Sequence, residues 1–174
     1  RPVLAVLDML VDYLTPGRPL EVPRAREIVP ALQKRIAEAR VRGVPVVYLC
    51  DLHEPGCPDL EMWPAHALAG TEGANVWPAL APLEGDRLVT KPTYSAFVRS
   101  RLGDVLDELG ADEIVLTGCA TEVGLMATAT DALQRGFVVS VPPDCQAGLT
   151  APTEQVTLLA LSTMPPYDPR YLRA

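Results

Sequence analysis

Positive charge is scarce in this 174-residue chain: 15 Lys and Arg stand against 22 Asp and Glu, leaving −7 with neutral His. A duplex nucleic-acid binder carries a basic footprint, so no nucleic-acid partner is expected. Long apolar runs are also missing. None approaches the ~18–20 residues of a membrane span, and no membrane partner is expected either. Paired cysteines are absent: Cys50, Cys57, Cys119 and Cys145 form no Cys-x-x-Cys unit. A chain this long can bury a sufficient core without disulfides, so free thiols in a reducing, cytoplasmic setting are the expectation. The opening Arg1-Pro2-Val3 lacks Met and is too short a lead for a signal peptide, so at least one preceding residue is expected to be missing. Two Trp, five Tyr and two Phe leave the core to Leu, Val and Ala. The length points to a single domain spanning 1–174.

Lysine is the rarest cation, with Lys34 and Lys91 against thirteen arginines. Arg stays charged, whereas Lys can shed its proton when its surroundings lower the pKa. Lys91 therefore invites a chemical reading that Lys34 does not.

The chain alternates between short apolar runs and amphipathic stretches. Val3–Leu7, Val46–Leu49, Arg87–Thr90, Glu113–Thr117 and Phe137–Val141 read as strands, mostly buried on both faces. Arg24–Arg42, Val98–Leu109, Glu122–Arg135 and Thr153–Leu161 read as helices, the first with Pro30 marking a late start or a kink. Residues 53–84 show no sustained period and read as one long functional loop. The Pro-rich tail from Pro165 is expected to wrap the surface. Strand–helix alternation of this kind gives an α/β fold: three α/β/α layers around a mostly parallel sheet.

Ligands bind beyond the carboxyl ends of such strands. Asp8, Asp51 and Lys91 sit there, as does the segment after Thr117. Asp8 and Lys91, if brought together, make an acid–base pair whose members shift one another. Asp51 and His53 stand at i and i+2, on one side of an extended segment, and His66 is the only other histidine. Two imidazoles and a carboxylate suit Zn²⁺ or a related divalent metal with positions left open for water or substrate.

These pieces resemble the isochorismatase-like cysteine hydrolases, and within them the nicotinamidase branch, over nearly the whole chain. Asp8-Met9-Leu10-Val11-Asp12-Tyr13 is similar to the family's Asp-x-Gln-x-Asp-Phe opening, with Leu10 where Gln is common. Asp51-Leu52-His53, Trp63-Pro64-Ala65-His66 and Gly70-Thr71-Glu72-Gly73-Ala74 resemble the nicotinamidase metal region. Lys91-Pro92-Thr93-Tyr94-Ser95-Ala96-Phe97 resembles the segment around the catalytic lysine. Thr117-Gly118-Cys119-Ala120-Thr121-Glu122-Val123-Gly124 and the following Ala127–Ala132 resemble the nucleophile loop and its helix.

The resemblance implies catalytic roles for Asp8 and Lys91, a metal at Asp51, His53 and His66, and an oxyanion hole from Ala120 and Gly124. It also implies a non-proline cis bond between Cys119 and Ala120, a small-molecule substrate and a homo-oligomer. One departure stands out: Gly124 occupies the place of the nucleophilic cysteine. Cys119, five residues earlier, is the nearest thiol and the one candidate substitute, although a small buried thiol is the commoner state. Tyr13, Trp63 and Tyr94 are expected to line the pocket, and Trp77 either lines it or packs over a loop. Three readings stay open. The first is nicotinamidase-like hydrolysis of a small ring amide. The second is isochorismatase-type vinyl-ether hydrolysis with Asp8 as general acid. The third is a small-molecule binder without turnover.

Overall fold

The computed structural model describes residues 1–171. Strands β1 (Pro2–Leu7), β2 (Val46–Asp51), β3 (Arg87–Lys91), β4 (Glu113–Cys119), β5 (Val138–Ser140) and β6 (Gln146–Ala147) form one sheet in the order β3-β2-β1-β4-β5. All its pairings are parallel, and β6 pairs with the last two residues of β4, beyond β5. The helices are α1 (Val11–Leu14), α2 (Val29–Val41), α3 (Asp59–Met62), α4 (Leu102–Leu109), α5 (Met126–Gln134) and α6 (Ala151–Ser162).

Successive side chains of a strand point to opposite faces, and β1 shows what that does to the core. Val3, Ala5 and Leu7 join the cluster under α4, α5 and α6, whereas Leu4 and Val6 join the one under α1 and α2. Burial on both faces explains why β1 is apolar throughout rather than alternating. The three-layer α/β/α arrangement is thus the one expected.

Element boundaries differ from the sequence reading for local reasons. The first long helix begins at Val29, after a 3₁₀ turn over Pro23–Arg26, because Pro30 fits only a first turn, where no N–H is needed. The next begins at Leu102 rather than Val98, behind a turn in which the Ser100 hydroxyl accepts the Leu102 N–H at 3.1 Å. The third opens as a π-helical turn, Thr121–Leu125, before α5, and the last begins at Ala151 behind a Thr150–Thr153 capping box. The fifth strand shortens to Val138–Ser140, and β6 is an added strand. Residues 53–84 contain α3 and two 3₁₀ turns within an otherwise irregular path. The tail does more than wrap the surface: Tyr167 is buried and bridges to Val139, next to β5.

Candidate active site

The carboxyl ends of β1, β2, β3 and β4 meet at one cleft of about 220 Å³. Parallel register puts Asp51 opposite Lys91, and Leu7, just before Asp8, opposite Gly118. Gly118 has φ +108°, and a Cβ there would lie 2.0 Å from the Leu7 carbonyl oxygen, so only glycine lets β4 turn this close to β1.

Asp8 leaves β1 with φ +50°, a left-handed conformation that Asp tolerates better than most residues. That turn aims its carboxylate at Lys91, with Nζ 2.8 Å from Oδ2, while Oδ1 accepts the Asp51 backbone N–H at 2.8 Å. Lys91 also donates to the Asp51 carboxylate and, at 3.0 Å, to the Thr93 carbonyl. Only 1% of Lys91 is exposed. One ammonium is therefore shared by two buried carboxylates. Burial, then the Asp51 charge, push the Asp8 pKa up to about 7 against the pull of Lys91. Burial alone would lower the Lys91 pKa, but the Asp8 and Asp51 charges outweigh it and hold Lys91 protonated, above its ordinary value. The Tyr13 hydroxyl donates to the other Asp51 oxygen. Burial and that carboxylate hold the phenol well above its usual pKa.

Asp51, His53 and His66 are all buried and bring one ligand atom each to within 4.8 Å of one another. The hydrogen bonds around them suit a cation. His66 Nδ1 lies 2.6 Å from the Pro64 carbonyl, which can only accept, so Nδ1 carries the proton and Nε2 is left as a ligand atom. His53 Nδ1 lies 3.4 Å from Cys57 Sγ, and its Nε2 is buried with no partner among the described residues. Burial, then the neighbouring His66, lower the His53 pKa against the opposing Asp51 charge, so the imidazole stays neutral as a ligand must. A buried, orphaned imidazole nitrogen facing a second histidine and a carboxylate fits a divalent ion such as Zn²⁺.

Gly124 lies in the π-helical turn and, with Ala120, lines the cleft. The Cys119–Ala120 peptide is cis, as the resemblance implied. A Cβ built on Gly124 would sit 3.4 Å from Asp8 Oδ2, so this backbone carries no side chain where one would face the ion pair. Cys119 does not line the cleft. It is fully buried, and its S–H donates to the Asp8 carbonyl oxygen at 3.2 Å. Burial, then the Asp8 charge, raise its pKa well above the usual thiol value, so it stays a thiol.

Tyr13, Trp63 and Tyr94 line the cleft. Trp63 Nε1–H donates to the Tyr94 hydroxyl at 2.9 Å, which joins two aromatics at the rim. Trp77 packs instead against the cluster under α1 and α2. Sequence reasoning missed the wall built by Pro19–Val22, with Val123 and Leu149 across from it in the chain order, and the buried Asp59. It also passed over Cys57. Its i+4 distance from His53 was the available signal.

Residues 2–165 match the isochorismatase domain family. The chain belongs to this family. It is 32% identical over 152 residues to the maleamate amidohydrolase of Pseudomonas putida, covering 83% of this chain and 71% of the relative. The fold superposes with TM-score 0.92 on an isochorismatase-like hydrolase from Alkaliphilus metalliredigens, at 33% identity over 96% of this chain and 93% of that one. The pyrazinamidase of Pyrococcus horikoshii in complex with zinc gives TM-score 0.86 at 28% identity, covering 94% of this chain and 95% of that one. Hydrolases are thus what the chain resembles in both sequence and fold.

Proposed function

We propose that this chain is a single isochorismatase-like domain that binds a small ring amide and hydrolyses it slowly, with water in place of a thiol as nucleophile. Gly124 carries the reading. It offers no nucleophile, yet the place where its side chain would begin lies 3.4 Å from Asp8 Oδ2. A water seated there is within reach of Asp8, which takes its proton while Lys91 keeps the carboxylate in place. The water oxygen bonds to the amide carbon, and the C–N bond then breaks. The nitrogen leaves as ammonia with the proton relayed through Asp8. The backbone N–H groups of Ala120 and Gly124 are our candidates for holding the developing oxyanion. Asp51, His53 and His66 would hold a divalent ion, which would supply Lewis-acid chemistry toward a ring nitrogen and so help to orient the ring. Cys119 takes no part, because its thiol is buried and committed to the Asp8 carbonyl.

The test is ammonia release from nicotinamide and pyrazinamide by zinc-loaded protein, with intact-mass analysis of the chain during turnover. Release above the Asp8→Asn background, without an acyl adduct and insensitive to iodoacetamide, supports the reading. An acyl adduct on Cys119 refutes it. The absence of side-chain chemistry at Gly124 also favours a second reading, a binder without turnover. That reading predicts bound amide and no release.

A further inference from the structure

We propose that the cleft selects neutral or cationic ring amides and rejects ligands that carry a carboxylate. This rests on the small-molecule reading of the same cleft and narrows its substrate class.

The observation is the charge inventory of the walls. Four carboxyl groups, those of Asp8, Glu21, Asp51 and Asp59, line the cleft with a single ammonium, Lys91. An ammonium has three N–H donors, and Lys91 directs them at Asp8, Asp51 and the Thr93 carbonyl. Nothing is left for an incoming anion. The chain has thirteen arginines, but among the described residues none lines the cleft. Arginine is the side chain that grips a carboxylate by two parallel hydrogen bonds. Arg26 touches Glu21 at 2.7 Å but does not itself line the cleft. Asp59 is the most telling carboxylate, because it is 5% exposed and has no ion-pair partner among the described residues.

A substrate carboxylate entering this space would shed water and meet no unpaired cationic side chain. A divalent ion held by Asp51, His53 and His66 would offset part of this negative charge, and in the ring-amide reading its Lewis acidity is taken up by the ring nitrogen. The remaining walls include Leu20, Val22, Trp63, Tyr94 and Val123, apolar or aromatic faces that suit a flat ring. An aromatic wall also favours a cationic substituent. Carboxylate-bearing amides such as maleamate are therefore poor ligands here. So is isochorismate, with two carboxylates, which the vinyl-ether reading requires.

Two measurements test this. Trp63 lies on the cleft, so its fluorescence in Trp77→Phe protein can be quenched with iodide, caesium and acrylamide at matched ionic strength, against free N-acetyltryptophanamide. The caesium-to-iodide ratio of quenching constants is expected to exceed that of the free standard at least about threefold. Glu21→Gln with Asp59→Asn should bring the ratio back toward the standard. A ratio equal to the standard overturns the proposal, as does one that the double variant leaves unmoved. Should Trp77→Phe not fold, the difference between the parent and Trp63→Phe gives the same ratio.

The second measurement is calorimetric binding of nicotinamide, 5-carboxynicotinamide and 5-(aminomethyl)nicotinamide to zinc-loaded protein. The anion is expected to bind at least about tenfold more weakly than nicotinamide. Equal or tighter binding of the anion overturns the proposal. If no amide binds while the quenching ratio holds, charge selection stands and the ring-amide reading falls.

Discussion

On the proposed water-using reading, replacing Gly124 by cysteine should convert the cleft into a thiol-using site. The structure admits the substitution. Gly124 lies in a helical turn, and its φ is not among the positive ones, so an L-residue meets no backbone penalty there. The new Cβ would touch Asp8 Oδ2, Leu7 Cδ2 and the Tyr94 carbonyl oxygen, each at 3.4 Å, which is ordinary contact. Exchanging a helical glycine for a residue with a side chain should be stability-neutral or gain up to about 1 kcal/mol. The thiol would begin beside a carboxylate placed to take its proton and close to the Lys91 ammonium, the surroundings that activate a cysteine. Loss of a covalent nucleophile in a working hydrolase costs up to ~10⁶-fold in kcat, so a pre-built site should recover at least about 10²-fold in ammonia release. Gly124→Ala is the control, with equal stability and no gain. The assay is amide turnover, with intact mass to trap the thioester and iodoacetamide to abolish the gained rate. If Gly124→Cys folds, loads zinc, reacts with iodoacetamide at residue 124 and shows no gain, then Asp8 and Lys91 are not disposed to activate a nucleophile. The hydrolytic reading would fall with them.

Three further outcomes are expected. Purified protein should bind about one divalent ion per chain, and His53→Ala or His66→Ala should weaken zinc binding at least about 10²-fold in a chelator competition; wild-type protein with no zinc after loading would refute the site. Asp8→Asn should lower ammonia release by ~10²–10⁴-fold while leaving amide affinity within a few-fold in calorimetry; an unchanged rate would remove Asp8 from the chemistry. The third concerns Glu154, which is buried on α6 and accepts from Arg24 at 2.7 Å and from the Gly148 N–H at 2.9 Å. Burial alone would raise its pKa, but the Arg24 and Gly148 hydrogen bonds hold it below the ordinary carboxylate value. A depressed folded-state pKa contributes stability that is present above the unfolded value and lost as pH falls through the folded one. Glu154→Gln should therefore cost about 1–3 kcal/mol at pH 7 and flatten the acid limb of the stability curve below about pH 4.5. Thermal melts across pH check both, and an acid limb as steep as wild type refutes the linkage.

The parts of the molecule legible in the sequence were those governed by periodic burial. β1, β2 and β4 are apolar because both of their faces are covered, and that pattern needs no tertiary knowledge to read. Boundaries set by local hydrogen bonds, such as the Thr150–Thr153 capping box before α6, escape a reading based on periodicity. At the site, Asp8, Asp51 and Lys91 stood out because they end strands, and parallel register then brings them to one edge. Glu21, Asp59 and Leu149 carried no such mark. Glu21 and Leu149 reach the cleft from irregular segments and Asp59 from the short helix α3 inside the long loop, and their paths depend on contacts far away in sequence, for example the Ala67 N–H bonding the Asp12 carboxylate. The charge of the pocket was therefore invisible until the loops were placed.

The ion cluster itself bears on what the protein is for. Lys91, Asp8 and Asp51 are 1%, 4% and 8% exposed, so all three charges have given up most of their water. A buried ion pair is weak evidence for stability, because well-packed apolar groups of similar volume do as well or better. The fold offers such an alternative on the spot, since Leu7, Leu49 and Val89 pack together in the adjacent layers of the same three strands. Asp8 also adopts an uncommon left-handed backbone to face the lysine, which adds to the cost. Stability thus gives no reason for this arrangement, and its orientation toward an open cleft, beside two histidines that could hold a metal, favours a chemical one. On the proposed reading, a chain with glycine at residue 124 and this cluster intact keeps the part of a hydrolytic site that costs stability, and the Gly124→Cys variant supplies the part that does not.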